Sequence, residues 1–289
     1  MMKITGKTKL LGIIGYPLEH SLSPVFQNQA LRALELDYVY VPFPVKPENL
    51  GDVFRAFRAI GIRGFNVTIP HKEAVLPLLD HISDKAKLIG AVNTVWLEED
   101  EWYGTNTDVD GFISPLLEIK RDWPHTTPLI LGNGGAARAA VVGCAQLGCE
   151  KIRIVGRNPE KLTKFGLSWH NTPLQHRISL HSWEEIPTLI PQCRLIVNTT
   201  PIGMYPHCQQ SPLSPQEIEL MTDGTIVYDL IYNPRPTLLL KQAAARGLTG
   251  IDGSEMLVKQ GAVALEIWVG LAAPLSLMRQ SLLEALGEN

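Results

Sequence analysis

Cysteine is scarce in this chain: Cys144, Cys149, Cys193 and Cys208 are the only four in 289 residues, with no C-x-x-C pair and no histidine at zinc-finger spacing. Disulfide frameworks belong to small secreted chains and structural zinc to closely spaced thiols, so reduced thiols and no metal are expected. An excess of charge of one sign is missing too. The 26 Lys and Arg residues are scattered against 29 Asp and Glu, for a formal net charge of -3. Without a basic run to neutralise phosphates, nucleic acid is excluded as a partner. Long apolar runs are absent. The most apolar stretch, from Gly261 to Pro274, carries Glu266 and falls short of the roughly 20 residues that a membrane span requires, so it reads as a buried helix. The N-terminal MMKITGKTKLLGIIGY has too short an apolar stretch and no small-residue cleavage site for a secretion signal. These absences point to the cytoplasm, with no membrane partner.

What is present is an α/β pattern of two-domain length. Hydrophobic residues make up 45% of the chain and charged residues 19%, enough to bury substantial cores. At roughly 150 residues per domain the length predicts two domains, with a cleft between them. Leu10 to Gly15 reads as a buried strand and Ser23-Pro24 opens a helix running to Leu34. Tyr38 to Val45 is predicted as a strand, Pro47 to Ile60 as a helix, Gly64 to Ile69 as a strand, and His71 to Leu79 as another helix. Two further strands, Ala91 to Leu97 and Trp102 to Thr105, flank an acidic turn before a helix over Asp108 to Glu118. The loop Arg121 to Pro128, with Pro124 and Pro128, suits a domain boundary. A second series follows: strand Leu129 to Leu131, helix Ala136 to Leu147, and strands Lys151 to Val155, Leu195 to Asn198 and Ile226 to Asp229. From about Gly253 the pattern is helical, and these helices are expected to return to the first domain.

The run P-L-I-L-G-N-G-G-A-A-R sets Gly132, Gly134 and Ala137 at dinucleotide-fingerprint spacing, with a strand before and a helix after. Gly132 permits the tight turn, Gly134 lets the backbone approach a pyrophosphate, and Ala137 allows close packing while the helix N-terminus faces the anion. The next strand ends at Gly156-Arg157-Asn158, where an NAD enzyme carries Asp or Glu for the ribose 2'-hydroxyl. A guanidinium there suits a 2'-phosphate and favours NADP, with Lys161 adding charge and Glu160 arguing the other way. An arginine in a loop is also commonly just solvated.

A polar constellation occupies the first half. Ser21 and Ser23 stand two apart before a helix; one could serve as its N-cap, but capping does not require both. Asn66, Thr68 and Lys72 lie at a predicted strand end, where open α/β sheets bind ligands. Asn93, Asn106, Thr107 and Asp108 join them if the two following strands pair as a hairpin. Each has an ordinary reading: lysine is mostly a surface residue, and Asp before a helix is commonly a cap.

The motifs together resemble the shikimate dehydrogenase family over nearly the whole chain. They are G-x-P-x-x-x-S-x-S-P at Gly15 to Pro24, N-V-T-x-P-x-K at Asn66 to Lys72, G-A-V-N-T at Gly90 to Thr94, and N-T-D at Asn106 to Asp108. The glycine-rich turn, Asn198-Thr199-Thr200-Pro201, Y-D-x-x-Y-N-P at Tyr228 to Pro234 and M-L-V-x-Q at Met256 to Gln260 follow in order. The resemblance implies a substrate-binding catalytic domain at residues 1–109 plus 252–289 and a Rossmann-type NADP-binding domain at 110–251. It implies that Lys72 and Asp108 are the catalytic pair. Ser21 and Ser23, helped by Tyr232, would hold a substrate carboxylate, and Thr68, Asn93 and Gln260 its hydroxyls. Cofactor contacts would come from Gly132, Gly134, Gly135, Ala136, Arg157, Asn158, Thr199, Thr200 and Gly253. Two departures stand out: Gly156-Arg157-Asn158 replaces the family's N-R-T, and Val109-Asp110 follows N-T-D where a glycine is usual.

The implied reaction is reversible NADPH-dependent reduction of 3-dehydroshikimate to shikimate, in aromatic amino-acid biosynthesis, by a monomer or homodimer. A carboxylate beside an amine favours the charged amine, so Lys72 is expected to start as the acid. Two alternatives stay open: a quinate/shikimate dehydrogenase with relaxed cofactor use, and a non-catalytic sensor of shikimate-like acids.

Overall fold

The computed structural model describes residues 4–287; the first three residues of the stretch read for a secretion signal and the last two of the returning C-terminal segment lie outside the described residues. The chain divides into two compact units, Met1–Asp108 with Leu257–Asn289, and Val109–Met256. The first unit begins with β1 (Lys9–Gly15), α1 (Ser23–Ala33), β2 (Tyr38–Pro44), α2 (Leu50–Ala59), β3 (Gly64–Val67), β4 (His81–Ile82), α3 (Asp84–Ile89), β5 (Thr94–Glu98) and β6 (Glu101–Thr105). Then come α4 (Asp108–Leu117), β7 (Pro128–Leu131), α5 (Gly135–Gln146), β8 (Ile152–Gly156), α6 (Pro159–Leu167), β9 (Ile178–Ser182), α7 (Ile186–Leu189) and β10 (Leu195–Asn198). The series continues with α8 (Pro215–Glu219), β11 (Ile226–Asp229), α9 (Leu238–Ala245), β12 (Thr249–Ile251), α10 (Ser254–Val269) and α11 (Leu275–Ala285).

The first unit carries a mixed sheet in the order β2-β1-β3-β5-β6-β4. β1 pairs in parallel with β2 and β3, while β5 runs antiparallel to both of its neighbours, β3 and β6. The apolar run of β1 divides between two cores as strand alternation requires: Leu11 and Ile13 enter one with Phe26 and Trp268, and Ile14 the other with Phe54, Phe65 and Trp102. Trp268 ties α10 to the sheet by donating from Nε1 to the Val95 carbonyl at 3.0 Å. A Cβ on Gly64 would stand 2.4 Å from the Trp268 ring, so the close approach requires glycine there.

The acidic turn joins β5 and β6 tightly. Glu98 pairs with Glu101, and Glu99 and Asp100 between them take φ of 48° and 64°, the left-handed pair of a two-residue hairpin. The helix expected at His71 to Leu79 does not form. Only a turn and a short 3-10 segment, Leu76–Leu78, occupy it, because Pro77 has no N–H to give to the preceding turn and clashes with continued helix.

In the second unit six parallel strands lie in the order β12-β11-β10-β7-β8-β9. The chain winds outward from β7 to β9, then resumes with β10 on the other side of β7. This is the doubly wound Rossmann arrangement, with its switch point between β7 and β10. The loop Arg121 to Pro128 lies inside this unit, leading into β7, so its prolines mark the entry to a sheet. The change of unit falls between Asp108 and Val109 and again within α10. No helix among the described residues is long and apolar enough to cross a membrane.

Candidate active site

The β5–β6 hairpin assembles the centre of the first unit. Thr94 pairs with Thr105, so the residues just outside this pair, Asn93 on one side and Asn106 to Asp108 on the other, must be neighbours. The Asn93 side-chain oxygen accepts from the Thr107 N–H at 2.8 Å, and its Nδ2 donates to Asp108 Oδ1 at 2.7 Å. Asn106 Oδ1 accepts from the Asp108 N–H at 2.9 Å. Asp108 is thereby held at both backbone and side chain.

Lys72 arrives from the turn after β3. Its carbonyl accepts from the Val92 N–H at 2.8 Å, which fixes its backbone one residue from Asn93. The neighbouring His71 is buried with Nε2 2.7 Å from the Val45 carbonyl, a structural anchor. Lys72 Nζ donates to Asp108 Oδ2 at 2.5 Å, and the lysine side chain keeps 22% of its surface exposed against 9% for the carboxylate. The ammonium is the accessible end of the pair. Gln260 on α10 closes the group: its Oε1 lies 3.4 Å from Asn93 Nδ2, while its own Nε2 donates to the Leu257 carbonyl at 2.7 Å.

A second chain of hydrogen bonds leads from this centre to the start of α1. Asn66 donates from Nδ2 to the Asn93 carbonyl at 3.1 Å and accepts at Oδ1 from the Tyr40 hydroxyl at 2.8 Å. Burial holds the Tyr40 phenol well above its usual range, while a hydrogen bond from Ser23 pulls the other way. The N-cap of α1 is Leu22, with no side-chain cap hydrogen bond, so neither Ser21 nor Ser23 takes the capping role considered for one of them. Thr68 lies just past β3, where a Cβ on Gly15 would meet its methyl at 2.4 Å; glycine leaves that side chain its place. The arrangement offers hydroxyl and amide groups around one cation, which suits a small polyhydroxylated acid.

The second unit presents its own site at the switch point. Gly132 takes φ of 105°, and a Cβ there would approach Thr199 Oγ1 to 2.8 Å, so the loops after β7 and β10 touch. At Gly134 and Gly135, by contrast, an added Cβ would meet nothing within 4 Å. The N-terminus of α5 therefore faces open space with bare N–H groups, the setting for a pyrophosphate. The hydroxyls of Thr199 and Thr200 are already committed, to the Leu131 carbonyl and to Asn198 Oδ1, each at 2.7 Å. Asn158 is committed as well, capping α6 by accepting from the Lys161 N–H at 2.9 Å. Arg157 is exposed and makes no ion pair among the described residues. Open glycines, a helix N-terminus and a guanidinium with no ion pair past the second strand fit a dinucleotide carrying an extra phosphate.

Comparison with known proteins agrees with both halves. A family model described as "Shikimate dehydrogenase substrate binding domain" matches residues 13–95, and one described as "Shikimate 5'-dehydrogenase C-terminal domain" matches residues 253–283. Over 286 residues the chain is 56% identical to a shikimate dehydrogenase (NADP(+)) of Crocosphaera subtropica, with 99% of each chain covered. The chain belongs to the shikimate dehydrogenase family. Among solved family structures, a shikimate dehydrogenase in complex with NADP+ is 38% identical over 98% of both chains, at a TM-score of 0.89. A shikimate 5-dehydrogenase from Listeria monocytogenes, in complex with shikimate and NAD, is 34% identical at a TM-score of 0.88, covering 98% of this chain and 99% of that one.

Of the residues that the family resemblance singles out, Lys72, Asp108, Asn93 and Gln260 form one directly bonded group, to which Ser23 connects through Tyr40 and Asn66. Ser21 and Thr68 belong to the same unit at the start of α1 and the end of β3. Tyr232 lies in the second unit after β11, half-buried, with its phenol raised by burial. Gly253 has a packing reason of its own, since a Cβ there would fall 2.1 Å from the Leu230 carbonyl oxygen. Val109, the departure from the family's glycine, is fully buried and leaves Asp108 in its bonds. Tyr40 was missed. In sequence it reads as one more strand aromatic, and only its place opposite Asn66 reveals it.

Proposed function

We propose that the chain catalyses the reversible NADPH-dependent reduction of 3-dehydroshikimate to shikimate, a step of aromatic amino-acid biosynthesis. The observation that carries this reading is the Lys72–Asp108 contact of 2.5 Å, set in a shell of amides and hydroxyls. When bound, NADPH supplies the hydride that turns the ketone carbon into a carbinol carbon. Lys72 Nζ donates the proton to the carbonyl oxygen, and its positive charge stabilises the alkoxide as it develops. Asp108 keeps the ammonium oriented, and Asn93 keeps Asp108 in place. Ser21 and Ser23 bind the carboxylate, while Thr68, Asn93 and Gln260 bind ring hydroxyls. The cofactor's pyrophosphate belongs at Gly132, Gly134, Gly135 and Ala136, and its 2'-phosphate at Arg157. We place the reaction in the cytoplasm, where the four free thiols stay reduced.

The test follows NADPH consumption with 3-dehydroshikimate. The intact protein turns over, and Lys72→Met lowers kcat by about 10²–10⁴-fold with a much smaller effect on substrate affinity. A variant with near-normal kcat sinks the assignment. Oxidation of shikimate and quinate with NADP and with NAD, run alongside, should give the highest kcat/KM for shikimate with NADP.

A further inference from the structure

We infer that Trp183 is a positioning residue for Arg157, and through it sets the preference for a 2'-phosphorylated dinucleotide; this rests on the reading of Arg157 above. The register of the second sheet supplies the juxtaposition. β8 and β9 are parallel neighbours whose last pair is Gly156 with Ser182, so Arg157 and Trp183 leave the carboxyl ends of adjacent strands side by side. The turn that carries Trp183 is pinned by a capping box between Ser182 and Glu185, with the Ser182 N–H donating to Glu185 Oε1 at 2.8 Å. Trp183 is partly buried and packs on the core of its unit. The Arg157 guanidinium carbon lies 5.9 Å from the centroid of its ring, within cation–π range.

That contact matters because Arg157 makes no hydrogen bond or ion pair among the described residues. Arg121, Arg138, Arg153, Arg177, Arg194, Arg235 and Arg246, the remaining arginines of the unit, each donate to an oxygen. The nearby acids do not capture it. Glu185 is engaged by His181 and the Ser182 N–H, and backbone and Ser182 hydrogen bonds hold the Glu184 carboxyl below its usual range. An exposed arginine loses rotamer freedom when it clamps an anion. A fixed indole face that already orients the guanidinium reduces that loss without occupying a single N–H donor, leaving the fork free for phosphate oxygens.

The experiment compares kcat/KM for NADPH and NADH in Trp183→Leu, Trp183→Phe, Arg157→Ala and the Trp183→Leu/Arg157→Ala double variant. Leucine keeps the apolar packing without the aromatic face, and phenylalanine keeps a face. The expected result for Trp183→Leu is a KM for NADPH raised about 3- to 10-fold, with the NADH value moving less than about 2-fold. Phenylalanine should recover most of the loss, and Trp183→Leu should add nothing once Arg157 is alanine. An unchanged NADPH KM in Trp183→Leu, equal losses with both cofactors, or no recovery by phenylalanine overturns the inference. If Arg157→Ala itself leaves the NADPH over NADH preference intact, the 2'-phosphate reading fails with it. If Arg157→Ala abolishes the preference while Trp183→Leu does not, only the role of Trp183 falls.

Discussion

Asn93 Nδ2 has three acceptors within reach, Asp108 Oδ1 at 2.7 Å, Thr107 Oγ1 at 3.0 Å and Gln260 Oε1 at 3.4 Å, but only two hydrogens. The shortest contact goes to the charged acceptor, so the amide's main work is on Asp108. Asn93→Ala would strand the buried Thr107 N–H and one Asp108 oxygen, costing roughly 1–3 kcal/mol by the usual penalty for unmet buried polar groups. Urea denaturation should show that loss, together with a fall in kcat. If Asn93 served only as a substrate contact, KM would rise with stability unchanged. At this scale the sequence alone was least informative. Lys72 and Asp108 stand 36 residues apart and each has a bland local reading; only a hairpin register, or likeness to a family that shares the motifs, puts them together.

The β7–α5 turn shows how one element uses its glycines for different ends. Gly132 is required by the fold, through its φ of 105° and its approach to Thr199, whereas Gly134 has φ of -94° and open space around it. Gly132→Ala should therefore cost stability, roughly 1–3 kcal/mol from backbone strain alone. Gly134→Ala should cost less than that, at most about 1 kcal/mol for losing glycine at the N-cap of α5, yet raise the KM for NADPH about 10-fold or more, because the Cβ enters the space left for the cofactor. Melting temperatures and NADPH titrations of the two variants separate these effects; equal stability losses would refute the division. Elements of this kind were legible because a strand buried on both faces is a continuous apolar run, as in LIL before Gly132. β9 was not, since ISLHS is a half-exposed edge strand without such a run. The segment after Pro70 misled for the opposite reason: its apolar spacing suits a helix, and Pro77 forbids one.

For the molecule as a whole, the alternation of strands and helices conveyed a doubly wound unit and a C-terminal return. It did not convey which buried groups would make stability depend on pH. Asp229 ends β11 beside the switch point, and its carboxylate accepts from Asn198 Nδ2 at 2.9 Å, the Ile231 N–H at 3.2 Å and Thr237 Oγ1 at 2.7 Å. Burial nevertheless outweighs these three donors and raises the carboxyl from its ordinary 3.8 to about 6. The folded protein thus keeps this proton up to about pH 6, whereas the unfolded chain releases it near 3.9. Stability from the protonated group is complete below the unfolded value and is lost as pH rises through the folded one, a total of roughly 3 kcal/mol. About half of that loss falls between pH 5 and 7.5. Asp229→Asn removes the titration while keeping the side chain's shape. Relative to the parent, its unfolding free energy should therefore rise by roughly 1–1.5 kcal/mol across that interval. Denaturant curves at closely spaced pH values measure the difference, and a difference that stays flat with pH would show that the three hydrogen bonds, not burial, govern the charge of Asp229.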